Sequence, residues 1–175
     1  MYHSINDDKN PLSVSKSNFE KQMVYLYKNE YRTINFEKLN ENTDKKRIII
    51  TFDDGYKNLI KNALPILKKF NFTAICFFVS NHIGKYNFWD EKKKNFSKLN
   101  LMNRKDIKNW LNSNMSIGSH SSDHYNLKNI SEKEKKRQIY EPKLFFKKNF
   151  NVNVDYFSYP FGQYDDSSIN TVKKY

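Results

Sequence analysis

Two acidic residues and two histidines carry the strongest chemical signal in this sequence. Asp53 and Asp54 stand side by side before Gly55, directly after the apolar run Ile48-Ile49-Ile50-Thr51-Phe52. Asp and Gly are ordinary turn residues, and a turn alone could account for them. Adjacent carboxylates at the end of a buried strand nevertheless repel and lose hydration unless a cation or a proton compensates. A metal resolves that conflict, with one carboxylate as ligand and the other left unligated as a base. His120 and His124 lie four positions apart in Ser119-His120-Ser121-Ser122-Asp123-His124. On a helical turn that spacing puts both imidazoles on one face, able to share an ion. The plainer alternative is two unrelated surface histidines. The chain has only 4 histidines, and finding two at ligand spacing just after a strand favours the metal. Two imidazoles and one carboxylate leave coordination positions open, as a catalytic rather than a structural ion requires. One divalent ion is expected. Zinc is the default, and cobalt, nickel or iron suit the same donors.

The elements that must position these residues alternate along the chain. Ser17 with Glu20 forms a capping box ahead of Phe19, Met23, Leu26 and Tyr27, whose spacing predicts an amphipathic helix. Residues 47–52 are apolar and β-branched at nearly every position, the pattern of a parallel strand buried on both faces. Residues 56–70 place Leu59, Ala63, Ile66, Leu67 and Phe70 on one helical face, with Pro65 as a kink. Strands are expected at 73–79, around 115–117 and at 156–158, with a short helix at 104–111. Ser131 and Glu134 form a second capping box that opens a basic helix toward Phe150. A last helix opens at Asp165. Strand alternating with helix favours a parallel sheet with helices outside it, open or closed into a barrel. Function then gathers at the carboxyl ends of the strands. Asp53-Asp54, His120 and Pro160-Phe161-Gly162 each follow such a strand.

At 175 residues, without internal repeats or Gly/Ser linkers, the chain is expected to be one domain over 1–175. A domain of that size needs no disulfide scaffold. The single Cys76, inside Ile75-Cys76-Phe77-Phe78-Val79, is expected in the core. The net charge of +12 raises the question of a nucleic-acid partner. The lysines are dispersed, however, and Lys, Asn, Ile, Phe and Tyr all have A/T-rich codons, so genome bias explains the surplus and no nucleic-acid partner is expected. No apolar stretch approaches the roughly 20 residues needed to cross a bilayer, and the first residues lack the order of a signal peptide.

Three segments together resemble the polysaccharide deacetylases of carbohydrate esterase family four, the NodB-homology domain. Thr51-Phe52-Asp53-Asp54-Gly55-Tyr56 is similar to the first motif of that family, Ser119 to His124 to the second, and Ser158-Tyr159-Pro160-Phe161-Gly162 to the third. Met1-Tyr2-His3-Ser4 and Asn81-His82-Ile83-Gly84 resemble segments of the branch that acts on surface polysaccharides. The resemblance implies an α/β fold, a distorted (β/α) barrel of parallel strands with fewer than eight of them. It implies removal of acetyl groups from N-acetylated sugars of a glycan. Asp53 would be the base and Asp54, His120 and His124 the metal ligands. Tyr159, Pro160, Phe161 and Gly162 would form one wall of the substrate groove, and the Phe161 N–H would steady the oxyanion. His3 and His82 are expected to be structural or groove-lining.

The sequence departs from the family pattern in two places. Many members carry an arginine that orients the base where Ser158 stands; the form without it resembles the branch acting on poly-N-acetylglucosamine. The fourth and fifth motifs, the latter supplying a histidine as general acid, are absent up to Tyr175. The chain is therefore expected to be truncated at its carboxyl end, with the acid downstream. A last helix without a Gly or Asn stop and only about five countable strands agree with that expectation. The rival reading is a carbohydrate-binding pseudoenzyme or an assembly scaffold of the same fold. Asp53 argues against it, because a binding module needs no unligated carboxylate beside an ion.

Overall fold

The computed structural model of the protein describes residues 1–41 and 44–175. In chain order its elements are β1 (Ser4–Ile5), β2 (Ser13–Val14), α1 (Lys16–Lys28), β3 (Arg32–Thr33), β4 (Arg47–Ile48), β5 (Thr51–Phe52), α2 (Asn58–Asn62), α3 (Leu64–Lys69), β6 (Ile75–Phe78), α4 (Arg104–Asn112), β7 (Ser116–Ser119), α5 (Glu132–Phe150) and α6 (Asp166–Lys174). Short 3-10 turns at Ser80–His82, Phe88–Asp90 and Pro160–Gly162 shape the loops between them.

The site rests on a parallel sheet in the order β5-β6-β7, with Phe52 opposite Cys76 and Phe78 opposite Ser119. Tyr2 adds a parallel bridge to Phe52 on one side, and Phe157 adds one to Ser119 on the other. Five chain segments therefore run in the same direction, and the loops after β5, β7 and Phe157 emerge at one end. All four residues of β6 are buried, which is why its sequence is uniformly apolar rather than alternating. Cys76 is wholly buried there as a core residue. Gly118 in β7 leaves room for the Phe77 ring, since a Cβ at that position would lie 2.4 Å from Phe77 Cδ1. On the β5 side, Phe52 packs against Tyr2, Phe19 and Trp110 at centroid distances of 5.6, 5.9 and 5.8 Å.

Several expectations about the elements are corrected. The strand over 47–52 is two strands, because β4 pairs with β3 while β5 pairs with β6, and the chain changes neighbours between them. The helix over 56–70 breaks at Ala63 into α2 and α3: Pro65 sits in the first turn of α3, where its missing N–H costs nothing, and not in a continuous helix. The cap of α1 is Ser15, which accepts from Asn18 N–H, so Ser17 lies inside the first turn. Ser131 does cap α5, but the Glu134 side chain turns to Arg137 and Gln138 instead of closing the box. Lys135 of α5 is buried and bonds to Asp165 at 3.0 Å, tying α5 to the start of α6. Among the described residues, no helix is long and apolar enough to cross a membrane.

Candidate active site

The first part of the site is a strained turn. Leaving β5, the chain folds back so that Gly55 N–H donates to Asp53 O at 2.9 Å, a three-residue γ-turn with Asp54 at its centre at φ 70°. Gly55 follows at φ 77°, and a Cβ there would meet Phe78 Cδ1 at 2.4 Å. Only glycine meets both demands. The turn separates the two carboxylates: Asp54 points at the histidines, and Asp53 Oδ2 accepts from Ser158 Oγ at 3.1 Å.

The second part is the loop after β7. His120 and His124 do converge, but not along a helical turn. Residues 120–124 are irregular, with Ser121 at φ 66° and His124 at φ 60°. Two left-handed residues bend the chain so that both imidazoles face Asp54, at a cost of roughly 1–2 kcal/mol each that surrounding bonds must offset. Gln138, fully buried on α5, supplies two of them: its carbonyl accepts from Ser122 N–H at 3.0 Å and its side-chain oxygen from Asp123 N–H at 2.8 Å. Ser121 Oγ accepts from His124 N–H at 2.9 Å.

Asp54 Oδ1 lies 3.4 Å from His120 Nε2 and 3.2 Å from His124 Nε2, and the three donor atoms lie within 4.8 Å of one another. Despite that closeness, Asp54 Oδ1 makes no aligned hydrogen bond among the described residues, although it is buried. The three donor atoms are gathered in one small volume. Ligand bonds of about 2.0–2.2 Å to a tetrahedral ion would set ligand-to-ligand separations of about 3.3–3.6 Å, so the donor set suits a divalent ion. Burial alone would raise the Asp54 carboxyl, but the two imidazoles outweigh it and hold it below the usual carboxylate range. Burial pulls His120 down, and the Asp54 and Asp53 carboxylates with the Ser158 carbonyl push it up overall. His124 stays lowered by burial, with the neighbouring His120 adding to the effect and the Asp54 carboxylate opposing it.

These residues floor a cavity of about 640 Å³. Of the third motif, Ser158, Tyr159, Phe161 and Gly162 line it, while Pro160 is buried and is not among the lining residues. Phe161 stands at φ 59°, and its N–H has no acceptor among the described residues. Reasoning from sequence missed Trp89, Asp90, Lys93 and Phe96, which line the facing wall. A polar loop rich in lysine offered no periodicity to point at them. His3 lines the same cavity, as a groove-lining residue should. His82 does not; it stacks on Phe88 at 4.3 Å and is structural.

The family model described as polysaccharide deacetylase matches residues 40–175. The chain is 29% identical over 181 residues to YxkH of Bacillus subtilis (strain 168), covering 99% of this chain and 60% of that protein. It is 27% identical over 176 residues to a poly-beta-1,6-N-acetyl-D-glucosamine N-deacetylase of Staphylococcus aureus (strain MRSA252), covering 93% and 58%. The chain thus spans about three-fifths of the length of these relatives. The solved structure of a polysaccharide deacetylase from Bacillus cereus superposes with a TM-score of 0.83 at 28% identity, over 100% of this chain and 54% of that one. The parallel segments are accordingly those of the distorted (β/α) barrel.

Proposed function

Because this chain belongs to the polysaccharide deacetylase family, we propose that it takes part in metal-dependent hydrolysis of acetamide groups on N-acetylated sugars of a glycan. The observation that carries this reading is the gathering of Asp54, His120 and His124 in one small volume beside the separate carboxylate of Asp53. A divalent ion held by those three residues supplies Lewis acidity toward a carbonyl and toward water. The rest of the chemistry belongs to the chain. Asp53, with Oδ2 engaged by Ser158, keeps Oδ1 to accept a proton from the attacking water. The Phe161 N–H, held outward by its left-handed backbone, is the donor for the oxyanion of the tetrahedral intermediate.

The amine that leaves must be protonated. His120 and His124 face Asp54, His82 is packed on Phe88, and Lys93 is paired with Asp90 at 2.7 Å. His3 lines the cavity as a groove residue and is assigned no part in the proton transfer. The aromatic walls, Trp89, Phe96, Tyr159, Phe161 and Tyr164, suit the apolar faces of sugar rings. The name of the staphylococcal relative favours a polymer of N-acetylglucosamine as substrate.

Acetate release from a panel of N-acetylated glycans by the zinc-loaded protein tests the reading. Wild type should release acetate, Asp53→Asn should keep its zinc and lose turnover, and His120→Ala should lose both. Wild-type turnover in Asp53→Asn would reassign the base, and full zinc content in His120→Ala would remove that residue from the ligands.

A further inference from the structure

We propose that Trp89 is the positioning residue that fixes the imidazole of His124. This role rests on reading Asp54, His120 and His124 as one metal site. The two histidines are secured by different means. His120 Nδ1 lies 2.9 Å from Ser158 O, the type of contact that ordinarily sets the tautomer and orientation of a metal-binding imidazole. His124 has no counterpart to it: the residue is buried, and its Nδ1 has no partner among the described residues. No hydrogen bond at Nδ1 therefore restrains rotation of this ring about its Cβ–Cγ bond.

The restraint comes from a flat surface instead. The Trp89 ring lies on the His124 ring with centroids 4.2 Å apart and 11° between planes, and Phe161 meets the same ring at 4.5 Å and 85°. Rotation that carried His124 Nε2 away from Asp54 Oδ1 would first have to displace the indole. Trp89 resists displacement because its own turn is anchored. The next residue, Asp90, is buried and accepts from Lys93 Nζ at 2.7 Å, Asn87 Nδ2 at 3.2 Å and Tyr56 OH at 3.4 Å. The residue before it, Phe88, stacks on His82. Tyr56 directly follows the turn that carries Asp54, so the support of Trp89 and the support of the carboxylate are linked. The loop after β6 thus reaches across the cavity and orients a ligand that the loop after β7 supplies.

The test is zinc affinity by chelator competition on wild type, Trp89→Leu, Trp89→Phe and His124→Ala, with the unfolding temperature of each zinc-free protein as the control for folding. Contacts that orient a ligating histidine are typically worth about 10- to 100-fold in metal affinity, so Trp89→Leu should bind zinc about tenfold or more weakly. Trp89→Phe, which keeps a flat ring, should bind nearly as wild type does. Zinc affinity in folded Trp89→Leu equal to wild type would overturn the role of Trp89 alone. Absence of zinc binding by wild type, or undiminished binding by His124→Ala, would instead overturn the metal reading beneath it. A second readout needs no leucine variant: cobalt binding should quench indole emission in wild type, and that quenching should largely vanish in Trp89→Phe. Quenching equal in both proteins would place the ion away from Trp89 and refute the proposal.

Discussion

Replacing Ser158 by alanine separates two contacts that one residue makes. Its hydroxyl donates to Asp53 Oδ2 at 3.1 Å, while its backbone carbonyl lies 2.9 Å from His120 Nδ1. Alanine deletes the first and keeps the second, so the ligand geometry should survive while the base loses its tether. A hydrogen bond to a charged group contributes about 1.5–3 kcal/mol, equivalent to about 10- to 100-fold in rate if it is needed only for productive orientation. The cavity is open to water, which can partly replace the hydroxyl, so the lower end applies and kcat/KM should fall about tenfold. The loss should lie mainly in kcat, since the hydroxyl is already engaged by Asp53 Oδ2. Ser158→Thr should restore most of it. The assay is steady-state acetate release from a soluble N-acetylglucosamine oligomer, with zinc content measured on the same samples. A double-mutant cycle makes the reasoning refutable: if Ser158 acts through Asp53, adding Ser158→Ala to Asp53→Asn should cost nothing more. A full tenfold further loss in that background, or unchanged kcat in the single variant, would show that the hydroxyl does not serve the base.

Other outcomes follow from the same geometry. Gly55→Ala should destabilise the fold by about 2–4 kcal/mol in urea unfolding, because a left-handed backbone and contact with the Phe78 ring are both imposed on a Cβ; an unshifted midpoint would show that Phe78 moves aside freely. Asp165 is held below the ordinary carboxylate range by the Ser168 hydroxyl and N–H, with Lys135 beside it. A carboxyl depressed in the folded state contributes stability above about pH 4 and loses it as the pH falls through the folded value. The stability gap between wild type and Asp165→Asn should therefore be widest near neutrality and close on acidification, and a gap constant with pH would refute the assignment.

What the sequence determined by itself was the family and the order of its motifs along the chain. Burial on both faces demands uninterrupted apolar residues, so β6 was visible as a run of them, and the acidic and histidine residues behind β5 and β7 were visible as motifs of the family. Tertiary structure decided how those donors meet. Spacing of four between His120 and His124 is compatible with a helical turn, yet two left-handed residues held by Gln138 bring them together, and nothing local in the sequence distinguishes these routes. Strand pairing also lay outside local reach: the run over 47–52 looks like one strand, but it divides because its two ends have different neighbours. The contacts that tune the site span the chain, Ser158 to Asp53 across 105 residues, Trp89 onto His124, and His3 into the cavity floored by Asp54. Hydrophobic periodicity and turn chemistry report only on a residue's near neighbours, whereas a parallel barrel gathers its loops from distant segments at one end, and that gathering is a property of the assembled fold.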